Sequence, residues 1–410
     1  MLRLPIENTL DREEKIMAEW ITTTLEECTD ILGDGLHGTP KYTENGEYAF
    51  VNGNNLVDGE ILIKKETKRV DYSQYDKYKK PLTNRTILVS INGTLGNVGV
   101  YGSEKIILGK SACYFNVKES VDKDFIYYIV SSPTFKQYLE SNATGTTIKN
   151  ISLKQMREYT FELPEIGEQK RISSVLRKID EKIKNNRAIN NNLLEQVLTL
   201  YRNRFVDTAN NERRICRADE YFDISIGKTP PRKEPQWFST NPQDVTWVSI
   251  SDMGTCGLYI SSSSEQLTKE AVDRHNVKIV PDNTVLLSFK LTVGRIAITN
   301  GEMTTNEAIA HFKTDKKEIN EYLYCYLKCF NYQTMGSTSS IATAVNSKII
   351  KGMPFVVPTD DELIDFHSVA APMFAKIKVN QTESEKLTAV RDTLLPKLMS
   401  GELDVSDIEL

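Results

Sequence analysis

Apolar residues in this chain follow a period of two, then a period near three and a half, and then repeat both. From Trp20 to Leu163 they come in short alternating runs such as ILVSI and VGVY, broken by Gly33, Gly35, Gly38, Gly46, Gly53 and Gly59. That pattern predicts short strands joined by tight loops, with a helical stretch at Asp124–Leu139. Glu168–Phe205 contains neither Gly nor Pro, and Ile172, Leu176, Ile179, Ile183, then Leu193, Val197 and Leu200 alternate four and three apart. This is the seam of a coiled coil, and the seam extrapolates through Asn186 and Asn190. A helix of that length is about 55 Å long at about 1.5 Å per residue. Short-strand texture returns between residues 210 and 357, with VTWVSI, VLLSF and a helical EYLYCYLKCF. Pro358 then opens a second helical pattern, in which Pro372 is expected to delay or kink the helix and Pro396 to end or bend it before the acidic GELDVSDIEL. Residues 1 to about 20 read as a short charged helix, with Met17 an alternative start.

The two halves are copies of one framework. Thr86–Val100 (TILVSINGTLGNVGV) matches Thr284–Ile298 (TVLLSFKLTVGRIAI), pairing Thr86 with Thr284, Ser90 with Ser288, Thr94 with Thr292 and Gly96 with Gly294 at an offset of 198. At an offset of 194, Pro164 answers Pro358, and Ile172, Leu176, Ile179, Ile183 and Leu193 answer Phe366, Ala370, Met373, Ile377 and Leu387. The polar break repeats as well, Asn186 and Asn190 against Asn380 and Ser384. An Asn in a seam costs stability but fixes register, so matched polar positions predict that the helices pair with each other. The segments are 1–19, a first α+β domain at 20–163, a central helix at 164–208, a second α+β domain at 209–357, and a distal helix with tail at 358–410. Two similar halves present two similar surfaces, which suits a duplex nucleic acid with two half-sites.

Composition narrows this picture. The 410 residues, 40% hydrophobic and 26% charged, predict two or three soluble globular domains. No run approaches 18 apolar residues, and the charged N-terminus is not a secretory signal, so a cytoplasmic protein without a membrane partner is expected. The six scattered cysteines argue against a disulfide framework, and Cys325 and Cys329, without a histidine cluster, read as buried thiols rather than a metal site. A net charge of −5 confines any DNA contact to local patches.

Catalytic motifs are missing. GKS at Gly109–Ser111 and GKT at Gly227–Thr229 look like the end of a phosphate loop, but Glu104 and Phe222 stand where its first glycine belongs. Asn241-Pro242-Gln243-Asp244 lacks the second proline and the aromatic of an adenine-methyltransferase loop and reads as a surface turn. His37, His275, His311 and His367 are isolated. Binding chemistry is better represented. GDGLHGTPKY supplies His37, Lys41 and Tyr42, and GKTPPRKEPQWF supplies Lys228, Arg232 and Lys233. The duplicated turn offers Asn92 and Thr94 in one half and Lys290 and Thr292 in the other, and TGTTIKNIS adds Lys149. Such groups reach phosphates and base edges, although strand-turn architecture alone accounts for the same turn pattern.

Together with ILVSINGTLGNVGV, VNGNNLVDG, GTTIKNISLKQMREYTFELPEIGEQKRISSVLRKIDEKI, WVSISDM, LLSFKLTVGRIAI, TTNEAIAHF and RDTLLPKLMSGEL, these loops resemble the DNA-specificity subunits of type I restriction-modification systems. The resemblance covers nearly everything beyond Trp20 in matching order. It implies two target-recognition domains separated by two long helices in an antiparallel coiled coil, a pseudo-twofold repeat that reads a bipartite, asymmetric site in double-stranded DNA. It implies a non-catalytic chain that docks two methyltransferase subunits and, in complete systems, restriction-translocase subunits. S-adenosylmethionine, ATP and Mg then belong to those partners. A free-standing bipartite DNA-binding regulator and a coiled-coil protein adaptor are the rival readings.

Overall fold

The computed structural model describes residues 20–145, 147–208, 213–335 and 345–405, so the expected N-terminal helix and the start at Met17 lie outside the described residues. The chain forms two compact units, Met1–Lys182 with Leu387–Leu410, and Ile183–Lys386.

In the first unit, β1 (Thr29–Asp34), β2 (Thr86–Ser90), β3 (Val98–Val100) and β4 (Ala112–Val117) form an antiparallel sheet in the order β1-β4-β2-β3. β2 and β4 are buried at every position, which is why they read as continuous apolar runs rather than alternating ones. Ile87, Val89, Cys113 and Phe115 point one way, against Phe125, Ile129, Phe135 and Leu139 of the helices Lys123–Ser131 and Pro133–Asn142. Leu88 and Tyr114 point the other way, against Ala49, Val51, Ile106 and Leu108. Asp122 and Ser132 cap those helices by accepting the amides of Phe125 (2.8 Å) and Phe135 (3.1 Å), and Pro133 fills the first-turn position that needs no N–H. Ile21–Thr24 pairs antiparallel with Thr160–Leu163 and joins the ends of the domain.

The second unit repeats this plan. β5 (Asp223–Ile226), β6 (Tyr259–Ile260), β7 (Val285–Ser288), β8 (Ile296–Thr299) and β9 (Ile309–Lys313) run in the order β5-β9-β7-β8-β6. The first four strands are antiparallel, in the same order as in the first unit, and β6 adds a parallel edge to β8. Val285, Leu287, Ile298 and Phe312 pack on Tyr322 and Leu323 of the helix Asn320–Cys329, while Leu286, Ala297 and Ile309 meet Val248, Ile260 and Met303. Cys325 is a buried free thiol within that helix. Ile215–Arg217 pairs with Pro354–Val356, as Ile21–Thr24 pairs with Thr160–Leu163.

Two long helices each enter both units. α1 spans Ile166–Tyr201 and continues into a π-helical turn at Arg202–Val206; α2 spans Asp360–Met399. Pro372 does not delay α2, which already begins at Asp360, and Pro396 does not end it, since the helix runs on to Met399. The carbonyls that the prolines leave without an N–H donor belong to Ser368 and Asp392, both on the exposed side of the helix, where an unpaired carbonyl costs little. Thr359 and Glu362 close the start of α2 reciprocally, at 3.2 and 2.9 Å.

Within each unit the helices run antiparallel. In the first, Ile172 and Leu176 share a core with Leu395 and Leu398, and Arg391 pairs with Asp180 at 2.9 Å. In the second, Val197 and Tyr201 share a core with Phe366, Ala370, Phe374 and Ile377. Asn186 and Asn380 are each 1% exposed in this seam. The Asn186 amide donates to the Asn380 carbonyl (3.4 Å), Glu383 (2.9 Å) and Ser384 (3.3 Å). The Asn380 amide donates to Asn190 Oδ1 (2.8 Å), and Asn190 donates to the Ile377 carbonyl (3.4 Å). The four polar seam positions therefore form one hydrogen-bonded group.

Candidate nucleic-acid interface

The duplicated turn shares two closing hydrogen bonds in both units. Ser90 Oγ accepts the Asn97 amide (2.8 Å) and the Ser90 carbonyl accepts the Gly96 amide (2.9 Å). Ser288 Oγ accepts the Arg295 amide (3.0 Å) and the Ser288 carbonyl accepts the Gly294 amide (3.0 Å). Gly96 and Gly294 hold φ of 78° and 91°, a conformation that an L side chain adopts only at a steric cost. The repeated Ser and Gly thus build the turn, and residues 91–95 and 289–293 ride on it.

The two tips carry different residues. In the first unit the Gly93 amide donates to the Lys149 carbonyl (2.9 Å) and Asn92 donates to Asn150 Oδ1 (3.0 Å). Asn92, Lys149 and the exposed Thr94 therefore gather at one edge, although part of the Asn92 amide is already committed to the neighbouring loop. The GDGLHGTPKY residues lie with other partners. His37 pairs with Asp34, the Lys41 amide donates to Gln74 (3.1 Å), and Tyr42 packs edge-on against Phe50 with Lys68 over its ring.

In the second unit the two candidate loops converge. Gly227 and Lys228 are pinned through their amides to Ile309 (3.1 Å) and Thr305 (2.9 Å), and Lys228 Nζ donates to the His275 carbonyl (2.6 Å). The Arg232 guanidinium lies over Phe238 and Trp247, at 4.2 and 4.7 Å, and forms a bidentate pair with Glu265 at 2.9 Å on both arms. Thr229 donates to Glu307. Partial burial alone would raise the Glu307 carboxyl, but the Thr229 hydrogen bond and the positive charges of Lys290 and Arg232 hold it below the usual range. Lys290 and Thr292 are exposed on the tip, and Lys233 is exposed on the loop. Thr229, Arg232, Lys290 and Glu307 thus share one electrostatic neighbourhood, a mixed surface of fixed cations and an anchored carboxylate.

Sequence reasoning found both loops but missed Glu265 and Glu307, which organise the Arg232 and Thr229 side chains. Their partners lie 33 and 78 residues away, and Glu307 appears in the sequence only as one letter of TTNEAIAHF. Of the four histidines, His311 is fully buried between Ser225 (3.0 Å) and Thr305 (2.7 Å), and burial drives its imidazole down to about 3. Asn241 forms a local turn, accepting the Gln243 amide on its side chain at 3.1 Å. Among the described residues, His, Cys, Asp and Glu form no metal-holding cluster, and no helix is long and apolar enough to cross a membrane.

Comparison with known proteins agrees with the duplicated architecture. A family model described as the type I restriction modification DNA specificity domain matches twice, at residues 17–195 and 214–387. The MjaIX type I restriction enzyme specificity subunit of Methanocaldococcus jannaschii is 24% identical over 400 residues, covering 90% of this chain and 87% of its own. The EcoBI specificity subunit of Escherichia coli is 21% identical over 389 residues, covering 85% and 81%. The crystal structure of a type I S subunit from M. genitalium shares the fold with a TM-score of 0.55 at 19% identity, covering 97% of this chain and 98% of that one. Two copies of the turn, two copies of the domain-plus-helix unit and two family matches place this chain in the type I restriction modification DNA specificity domain family.

Proposed function

We propose that this chain is the DNA-specificity subunit of a type I restriction-modification complex, in which each unit reads one half of a bipartite, asymmetric sequence. The observation that carries this reading is the pair of turns closed by the same serine and glycine hydrogen bonds but with unlike tips, Asn92-Gly93-Thr94 in one unit and Lys290-Leu291-Thr292 in the other. An identical scaffold carrying different chemistry suits two independent readers of different sequences. The contacting groups are drawn from His37, Lys41, Tyr42, Asn92, Thr94 and Lys149 in the first unit and from Lys228, Arg232, Lys233, Lys290 and Thr292 in the second. The long helices dock two methyltransferase subunits and set the unread spacer, as dimer geometry does for other DNA readers. The chain contributes recognition rather than catalysis. S-adenosylmethionine, ATP and Mg act in the methyltransferase and restriction subunits, and the complex works in the cytoplasm.

The test is methylome sequencing of a host that expresses the chain with its methyltransferase partner. Replacing residues 20–163 with the matching domain of a relative changes one half-site and leaves the other intact. A simultaneous change in both half-sites refutes independent reading. Tight sequence-specific binding by the purified chain alone in physiological salt makes it a free-standing regulator instead.

A further inference from the structure

Leu291 breaks two rules at once. It holds φ of 59°, in the left-handed region that a branched aliphatic residue adopts only under steric strain, and its side chain is fully exposed at 101% of the reference area. The corresponding residue of the first unit is Gly93, at φ 79°, so the turn itself asks for glycine. Local folding therefore opposes leucine here on both the backbone and the side chain. The turn is otherwise well closed, since Ser288 Oγ donates to the Thr292 carbonyl at 2.6 Å and accepts the Arg295 amide. Leu291 sits between exposed Lys290 and Thr292, on the tip that neighbours Glu307 and the Lys228–Arg232 loop.

From this placement, and resting on the DNA-reading function above, we propose that Leu291 is a specificity-determining residue that contacts the C5-methyl group of a thymine in the half-site read by the second unit. The tip joins β7 and β8, two interior antiparallel strands of the five-stranded sheet, so the exposed turn Lys290-Leu291-Thr292, rather than the sheet, is the part that reaches a base edge. In the major groove the apolar feature on a base edge is the thymine methyl, and an exposed aliphatic side chain is its chemical complement. Gly93 provides no such contact, so the first unit reads its half-site without an apolar probe at this position.

The experiment uses the chain assembled with its methyltransferase subunits and duplexes carrying the motif defined by methylome sequencing. Each thymine of the second half-site is replaced in turn by uracil, which lacks only the methyl. The wild-type complex loses about fourfold in affinity at one thymine, equivalent to about 0.8 kcal/mol for one buried methyl-sized group. Leu291→Gly and Leu291→Ala complexes bind the thymine and uracil duplexes equally. Leu291→Gly also relieves the backbone strain, and the melting temperature of the chain rises by about 2–4 °C, which confirms that the variant folds. A half-site without thymine, indifference of the wild type to every uracil, or an undiminished uracil penalty in Leu291→Gly overturns the assignment while leaving the DNA-reading function standing. Absence of any sequence-selective binding by the assembled complex removes both.

Discussion

The polar seam offers a quantitative check on how the helices hold register. Asn380 is 1% exposed and donates its amide to Asn190 Oδ1 at 2.8 Å, so each residue of this pair answers a group on the facing helix. Replacing Asn190 by Leu leaves the buried Asn380 amide without that acceptor, and the desolvation penalty predicts a loss of about 2 kcal/mol. Replacing Asn380 by Leu strips a donor from Asn190, which is only half-buried and recovers water, so the loss is about 1 kcal/mol. The double variant removes both halves of the pair and places leucine against leucine, so its cost falls to roughly zero and the coupling approaches 3 kcal/mol. Urea titration in a Trp20→Phe background isolates the second unit, because the remaining tryptophans, Trp237 and Trp247, both lie within it. Single losses that add within about 0.5 kcal/mol in the double variant refute the coupled-pair account. The double variant is also the sharper functional probe, since it removes the Asn190–Asn380 part of the polar seam without loss of stability and leaves Asn186 bonded to Glu383 and Ser384.

Two further outcomes follow from the same structure. Inserting one heptad after Asn186 and one at the matching place before Asn380 lengthens the helix pair by about 10 Å, so methylome sequencing should show a spacer longer by about three base pairs with both half-sites unchanged; an unchanged spacer removes the measuring role of the helices. His311 makes the second unit acid-sensitive: its folded imidazole sits near 3 against 6.5 for the free group, so the unfolded chain takes up the proton first as pH falls. Stability is complete above about 6.5 and declines below it, by about 2 kcal/mol at about pH 5, and urea midpoints compared between wild type and His311→Gln should show that slope only in the wild type.

Local periodicity carried much of this architecture. The seam from Ile172 to Leu200 marks α1 because a helix repeats its faces every three or four residues, and Thr86, Ser90 and Gly96 mark the turn because each has a fixed local task. What stayed hidden depends on distant partners. Nothing in the short ITTT segment announces that Ile21–Thr24 pairs with Thr160–Leu163. Nothing near Arg232 announces Glu265, whose carboxylate takes both arms of the guanidinium. Pro372 does not delay α2 for a related reason: on the water-facing side of a helix a missing backbone bond is cheap, and sequence alone does not say which side faces water.

The serine-glycine turn has an evolutionary consequence. The closing hydrogen bonds common to both copies come from Ser90 and Gly96, or Ser288 and Gly294, and the exposed side chains of Thr94, Lys290, Leu291 and Thr292 take no part in them. Substitutions at those exposed positions therefore spare the buried Ile91, Leu95 and Phe289, and Leu291→Gly even favours the fold, while each is exposed to selection for sequence preference. A lineage can change which DNA it marks as self in single substitutions, without first passing through an unfolded ancestor.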